Sequence, residues 1–197
     1  MSKNKPFIGI KNIWYSDPVA EALTPAKLKT WLTTATKVGN SHDGTWGYSQ
    51  DDPNVTDYIN ELNGQPYYKD KTSEGAKTIT FSMGVYSWKN KADLQGGQML
   101  DNKGAVTQTE EQAVGWSSSQ DLENINKTVV AQTKTGNYIV FSNASIVAKG
   151  DQQDKNITLG VTAVALESET AGVEAEYLWD GSAVDGANGV SMASNKV

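Results

Sequence analysis

Between Thr128 and Ser168 the chain places four strand-like segments in quick succession, and no other feature constrains its fold as much. "TVVAQT" and "YIVFS" flank "KTGN", a glycine-containing hairpin turn. "ASIVAK" runs into "GDQQD", which reads as a second turn, and "NITLGVTAVALES" then stays extended. Upstream, "TITFSMGV" alternates: Ile79, Phe81 and Met83 fall on one side of an extended chain, Thr78, Thr80 and Ser82 on the other. Alternation of this kind marks half-buried strands of a sheet with one wet face. The expected class is mainly β (α+β), a sandwich or barrel-like fold.

One helix is expected to flank the strands. In "LTPAKLKTWLTTATKVGN" Thr24 suits the N-cap, Pro25 the first helical position and Gly39 the C-terminal stop. Leu28, Trp31, Leu32 and Ala35 recur at spacings of three and four as one apolar stripe. "NKADLQGG" adds a helix of one to two turns closed by Gly96 and Gly97. "FIGIKNIWYSD" and "AEYLWD" read as further strands. Residues 1–180 form one domain with long polar excursions at about 40–75 and 101–127, although "VTDYINEL" and "PYYK" read as strands within the first. Residues 181–197, small and glycine-rich, are expected to be a flexible tail. From Ala163 to Leu166 the last long strand is apolar on both faces. Such a strand end is either central in a sandwich or covered by a neighbouring subunit, which makes Val164 and Leu166 candidate subunit-interface residues.

The chemistry-bearing residues are sparse. With no cysteine, thiolate nucleophiles, disulfides and cysteine-held metal are excluded. The lone histidine, His42, sits beside Asp43 in a turn, and no serine lies in a nucleophile motif such as G-x-S-x-G. Asp51–Asp52 and Glu110–Glu111 are adjacent carboxylates, whereas sugar hydrolysis needs two carboxylates opposed across a substrate. "DNKG" and "DGANG" lack the frame of a calcium loop. No catalytic residue, cofactor or metal is expected, and the chain reads as a non-enzyme. The formal charge is −6 and every basic residue is lysine. Without the arginine fork that grips phosphates and guanine edges, an acidic chain is a poor nucleic-acid binder. No apolar run approaches the roughly 20 residues of a membrane span, and the start lacks the apolar block of a signal peptide. Six tryptophans leave a carbohydrate-binding, adhesin-like module as the alternative.

One resemblance covers roughly residues 55–167. The order "ELNGQP" (Glu61–Pro66), "SEG", "KTITFSM" and "LQGG", followed by "TGNYIVFSNASIVAKGD" and "KNITLGVTAVALES", resembles the major tail tube proteins of long-tailed bacteriophages. The resemblance implies a β-sandwich-like domain with a flanking helix, an architecture shared with the type VI secretion tube protein. It implies a homo-oligomer of hexameric rings stacked into a hollow tube, meeting tape-measure and tail-terminator proteins at its ends. Viral DNA would pass along the lumen without specific binding. The protein would belong to the virion tail, be assembled in the cytoplasm of a bacterial host, and carry no membrane anchor.

Overall fold

The alternating stretches become ladders. The computed structural model describes residues 5–121 and 123–186, and the chain is mainly β with helices at its flanks, the α+β class expected. Its strands are β1 (Asn12–Ser16), β2 (Thr36–Lys37), β3 (Gly47–Gln50), β4 (Asn54–Ile59), β5 (Pro66–Ser73), β6 (Lys77–Met83), β7 (Gln98–Leu100), β8 (Val106–Thr107), β9 (Gly115–Ser117), β10 (Ile125–Gln132), β11 (Tyr138–Gln153), β12 (Asn156–Ala165) and β13 (Glu176–Trp179). The helices are α1 (Pro25–Trp31), α2 (Trp88–Gln95) and α3 (Gly181–Asp185). The principal sheet is antiparallel in the order β2-β1-β10-β11-β12-β6-β3, with β13 also on β11.

Ile79, Phe81 and Met83 of β6 are buried beside Leu159, Val161 and Ala163 of β12, Ile139 and Phe141 of β11, and Val129 of β10. This core lies on the inside of a rolled sheet. The segment that follows β2 closes the roll: the Val38 N–H donates to the Ile13 carbonyl at 2.9 Å, and the His42 N–H donates to the Ser82 carbonyl at 2.7 Å. Residues 38–42 thereby join β1 to β6, strands far apart in the sheet order, and Val38 is buried within the same core. The result is barrel-like. The opposite face of β1, β10 and β11 presents Trp14, Val130, Tyr138 and Val140, which pack with Leu23, Leu28 and Val184 under α1 and α3.

Four expectations need correction. First, the turn expected at "GDQQD" is displaced to its last residue: Asp151, Gln152 and Gln153 pair with Thr158, Ile157 and Asn156, so β11 is one strand of 16 residues. The reversal is the two-residue loop Asp154–Lys155, both at positive φ (46° and 68°), the backbone that matches strand twist in a tight hairpin. The tip is polar because it stands clear of the core, and its polarity masked its strand. Second, α1 ends at Trp31, well short of Gly39. The Thr33 and Thr34 hydroxyls donate to the carbonyls of Thr30 and Trp31, a local bonding pattern that competes with helix continuation. Third, the domain does not stop at residue 180: α3 is capped by the Asp180 carboxylate on the Ser182 N–H, and Val184 is 1% exposed. Residues 187–197 of the expected tail lie outside the described residues. Fourth, the second long excursion carries structure of its own, whereas in the first the strands expected at "VTDYINEL" and "PYYK" form. The first holds β3 and the β4–β5 hairpin; the second holds β8, a 3-10 turn at Glu110–Gln112 and β9, and β8 and β9 flank β7 in a small sheet.

Candidate assembly surface

β4 and β5 form a hairpin that stands off the body as an arm. Gln50 pairs with Lys77 in the β3–β6 ladder, the Asp51 N–H donates to the Ala76 carbonyl, and pairing resumes at Asn54 with Ser73. The arm is therefore the β3–β6 ladder prolonged past a neck at 51–53 and 74–76. Gly75 makes the neck possible: at φ +22° a Cβ would lie 1.9 Å from the Asp51 carbonyl oxygen. At the tip the Gly64 N–H donates to the Asn60 carbonyl, and the Asn60 and Asn63 side chains accept from Leu62 N–H and Gln65 N–H. Those side-chain caps shape the turn from within.

Neither face of the arm is a core face. One carries Thr56, Tyr58, Tyr68 and Asp70, with the two tyrosine rings 5.7 Å apart. The other carries Val55, Asp57, Lys69 and Lys71, with Asp57 and Lys69 3.4 Å apart. Val55, Tyr58, Ile59, Leu62, Tyr67 and Tyr68 are all exposed, Leu62 at 95%. The sequence signal was the mixing itself: "VTDYI" alternates, yet no side of it is consistently apolar.

A second feature lies on the body. The N-terminal segment runs along the β10–β11 turn, where the Lys134 N–H donates to the Ile8 carbonyl and the Asn137 amide donates to the Lys5 carbonyl. Together with β3 and β13 it bounds a groove of about 600 Å³ lined by Phe7, Trp46, Tyr48, Ile139 and Leu178. β3 ends the sheet order and β13 pairs only with β11, so both present an unpaired strand edge among the described residues. The Tyr48 hydroxyl donates to the Glu176 carboxylate at 2.7 Å, and Lys77 pairs with the same carboxylate at 2.6 Å. Burial first, then Glu176, pushes the Tyr48 pKa up to about 12.

Val164 lies on the outer face of the sheet, opposite the buried Ala163, with Ser145 and Thr78 as its neighbours on either side. It is half-buried in a strand already paired on both edges, so no neighbouring sheet continues from it. Leu166 lies just past the strand end at 38% exposed; its N–H still donates to the Asn143 carbonyl of β11, and the chain returns to β11 where the Ser142 N–H donates to the Ala175 carbonyl just before β13. The two residues are not brought together with the arm into one patch by anything in the register.

The titratable residues are dispersed. His42 faces Asp154 at 3.3 Å across the β11–β12 turn, not the adjacent Asp43. Asp51 and Asp52 sit in the arm's neck, and Glu110 and Glu111 lie on the exposed 3-10 turn. One polar cluster is structural: Asn90 donates to the Tyr15 hydroxyl at 2.8 Å, that hydroxyl donates to Asp93, and Lys89 pairs with Asp93. It pins α2 to β1, and burial holds the Tyr15 pKa well above the usual tyrosine range. No protein-family model matches the chain, and no curated protein is a significant match to it.

Proposed function

We propose that the chain is a structural building block that joins copies of itself, and specifically a subunit of a viral tail tube. The observation that carries self-association is the arm. An isolated two-stranded hairpin is marginal in water and needs a third strand or a packed face for stability. This one displays six large apolar side chains and touches almost nothing of its own body. The resemblance over residues 55–167 then directs the reading from self-association in general to stacked rings with a DNA conduit. The excess of acidic residues suits a channel that must not retain a polyanion.

Magnitudes decide how such a subunit would behave. Burying an exposed large apolar side chain yields roughly 1.5–3 kcal/mol, whereas association costs about 4–15 kcal/mol in lost freedom plus side-chain ordering. One arm contact is therefore close to break-even, and assembly becomes favourable when each subunit makes several contacts at once, as in a closed ring. The subunit should be monomeric when dilute and assemble cooperatively. The alternative, a carbohydrate-binding module, is less well supported: of the tryptophans only Trp88 is exposed.

Electron microscopy of the concentrated protein tests the reading. Rings or tubes of uniform diameter with a central channel are expected. A monodisperse monomer whose tryptophan fluorescence shifts with added glycans would replace it by the alternative.

A further inference from the structure

The arm and the groove are two unpartnered apolar surfaces of one chain, and we infer that the tip of the arm of one copy seats in the groove of the next. This deepens the self-association reading and rests on it. The arm does not serve its own groove. Its tip stands some ten residues beyond Gln50, which at about 3.3 Å per extended residue is on the order of 30 Å from the end of β3. The groove lies beside the opposite half of that strand, at Gly47 and Tyr48. Leu62 at 95% exposed is correspondingly untouched by the body.

Charge points the same way. Lys134 packs against Gly9 at the groove's margin, and the carboxylate beside the groove, Glu176, is already held by Tyr48 and Lys77. Lys134 forms no ion pair among the described residues, and the tip's one charged residue, Glu61, has none either. The seat therefore takes an apolar anchor, Leu62, beside an acidic side chain that meets Lys134. A contact between two different patches of one molecule is heterologous. When the exchange is not reciprocal it hands an unused arm and an unused groove to the next copy, and so closes into a ring or continues as a filament; the reciprocal exchange is a two-fold dimer.

Because the chain has no cysteine, introduced thiols report this contact cleanly. Leu62→Cys and Leu178→Cys, made in separate chains, are mixed under conditions in which the wild-type chain assembles, and are then oxidised. The expected result is a disulfide-linked heterodimer at least tenfold more abundant than with Leu62→Cys plus Val147→Cys, which sits on the outer sheet face. As a check independent of thiols, Glu61→Lys and Lys134→Glu should each reduce assembly several-fold and restore it when the two reversed charges face each other. Assemblies that form normally but show neither the preferred cross-link nor the restoration overturn the arm-in-groove contact and leave self-association standing. If the wild-type chain never assembles, both fall.

Discussion

Phe141 has no exposed surface, lies in the inner core of the rolled sheet and holds its ring 6.4 Å from that of Tyr48 on the edge strand β3. Phe141→Ala should cost roughly 3–5 kcal/mol, the range for deleting a buried aromatic ring, read as a lowered urea midpoint with an unchanged slope. The tyrosines predict a pH limit. Tyr15, Tyr48 and Tyr138 all have folded pKa values raised above the ordinary tyrosine value, chiefly by burial. Below about pH 10 both folded and unfolded chains keep these protons. Above it the unfolded chain releases them first, so the folded state holds more protons and stability falls with rising pH. For Tyr48 the loss extends up to about pH 12. Urea titrations between pH 9 and 11.5 should show this fall, and Tyr48→Phe should make it shallower; a slope unchanged in the variant would contradict the assignment. At this scale the sequence spoke clearly where neighbours are close along the chain, as with Ile79, Phe81 and Met83. It was silent on the Tyr15–Asn90–Asp93 cluster, whose members are brought together across more than seventy residues.

Among the elements, α2 and the arm make the sharpest expectations. The Ser87 side chain accepts from the Asn90 N–H while the Asn90 side chain accepts from the Ser87 N–H, a reciprocal cap on a helix of eight residues. Ser87→Ala should cost about 1 kcal/mol, seen as a drop of a few degrees in melting temperature. Replacing residues 54–73 by a tight Asn-Gly turn should leave the melting temperature of the body within a few degrees, because the arm buries almost nothing. Gly75→Val, in contrast, forces the neck open against the Asp51 carbonyl and should destabilise by roughly 1–3 kcal/mol. The strands of the body were legible because each has one apolar face. The arm was legible as strands but not as an arm, because a hairpin without an inward face leaves no period to read. The end of α1 was missed because the apolar stripe continues through Leu32 and Ala35, which still pack under the second core, after the threonine hydroxyls have stopped the helix.

For the whole molecule, the roll of the sheet and its closure by residues 38–42 depend on Val38 and His42 bonding to strands far away in sequence, which no local pattern encodes. Closure fixes where the N-terminal segment, β3 and β13 meet, and so creates the groove; the ladder that runs through β3 and β6 throws the arm outward. One scaffold thus presents both surfaces of the proposed contact. The most direct measurement is hydrogen–deuterium exchange across residues 54–73 as protein concentration is raised. The account predicts fast exchange along the arm in dilute solution and strong protection once the protein assembles, with the amides of β11 and β12 protected throughout. Arm exchange that stays equally fast, or equally slow, from dilute to concentrated protein would contradict it.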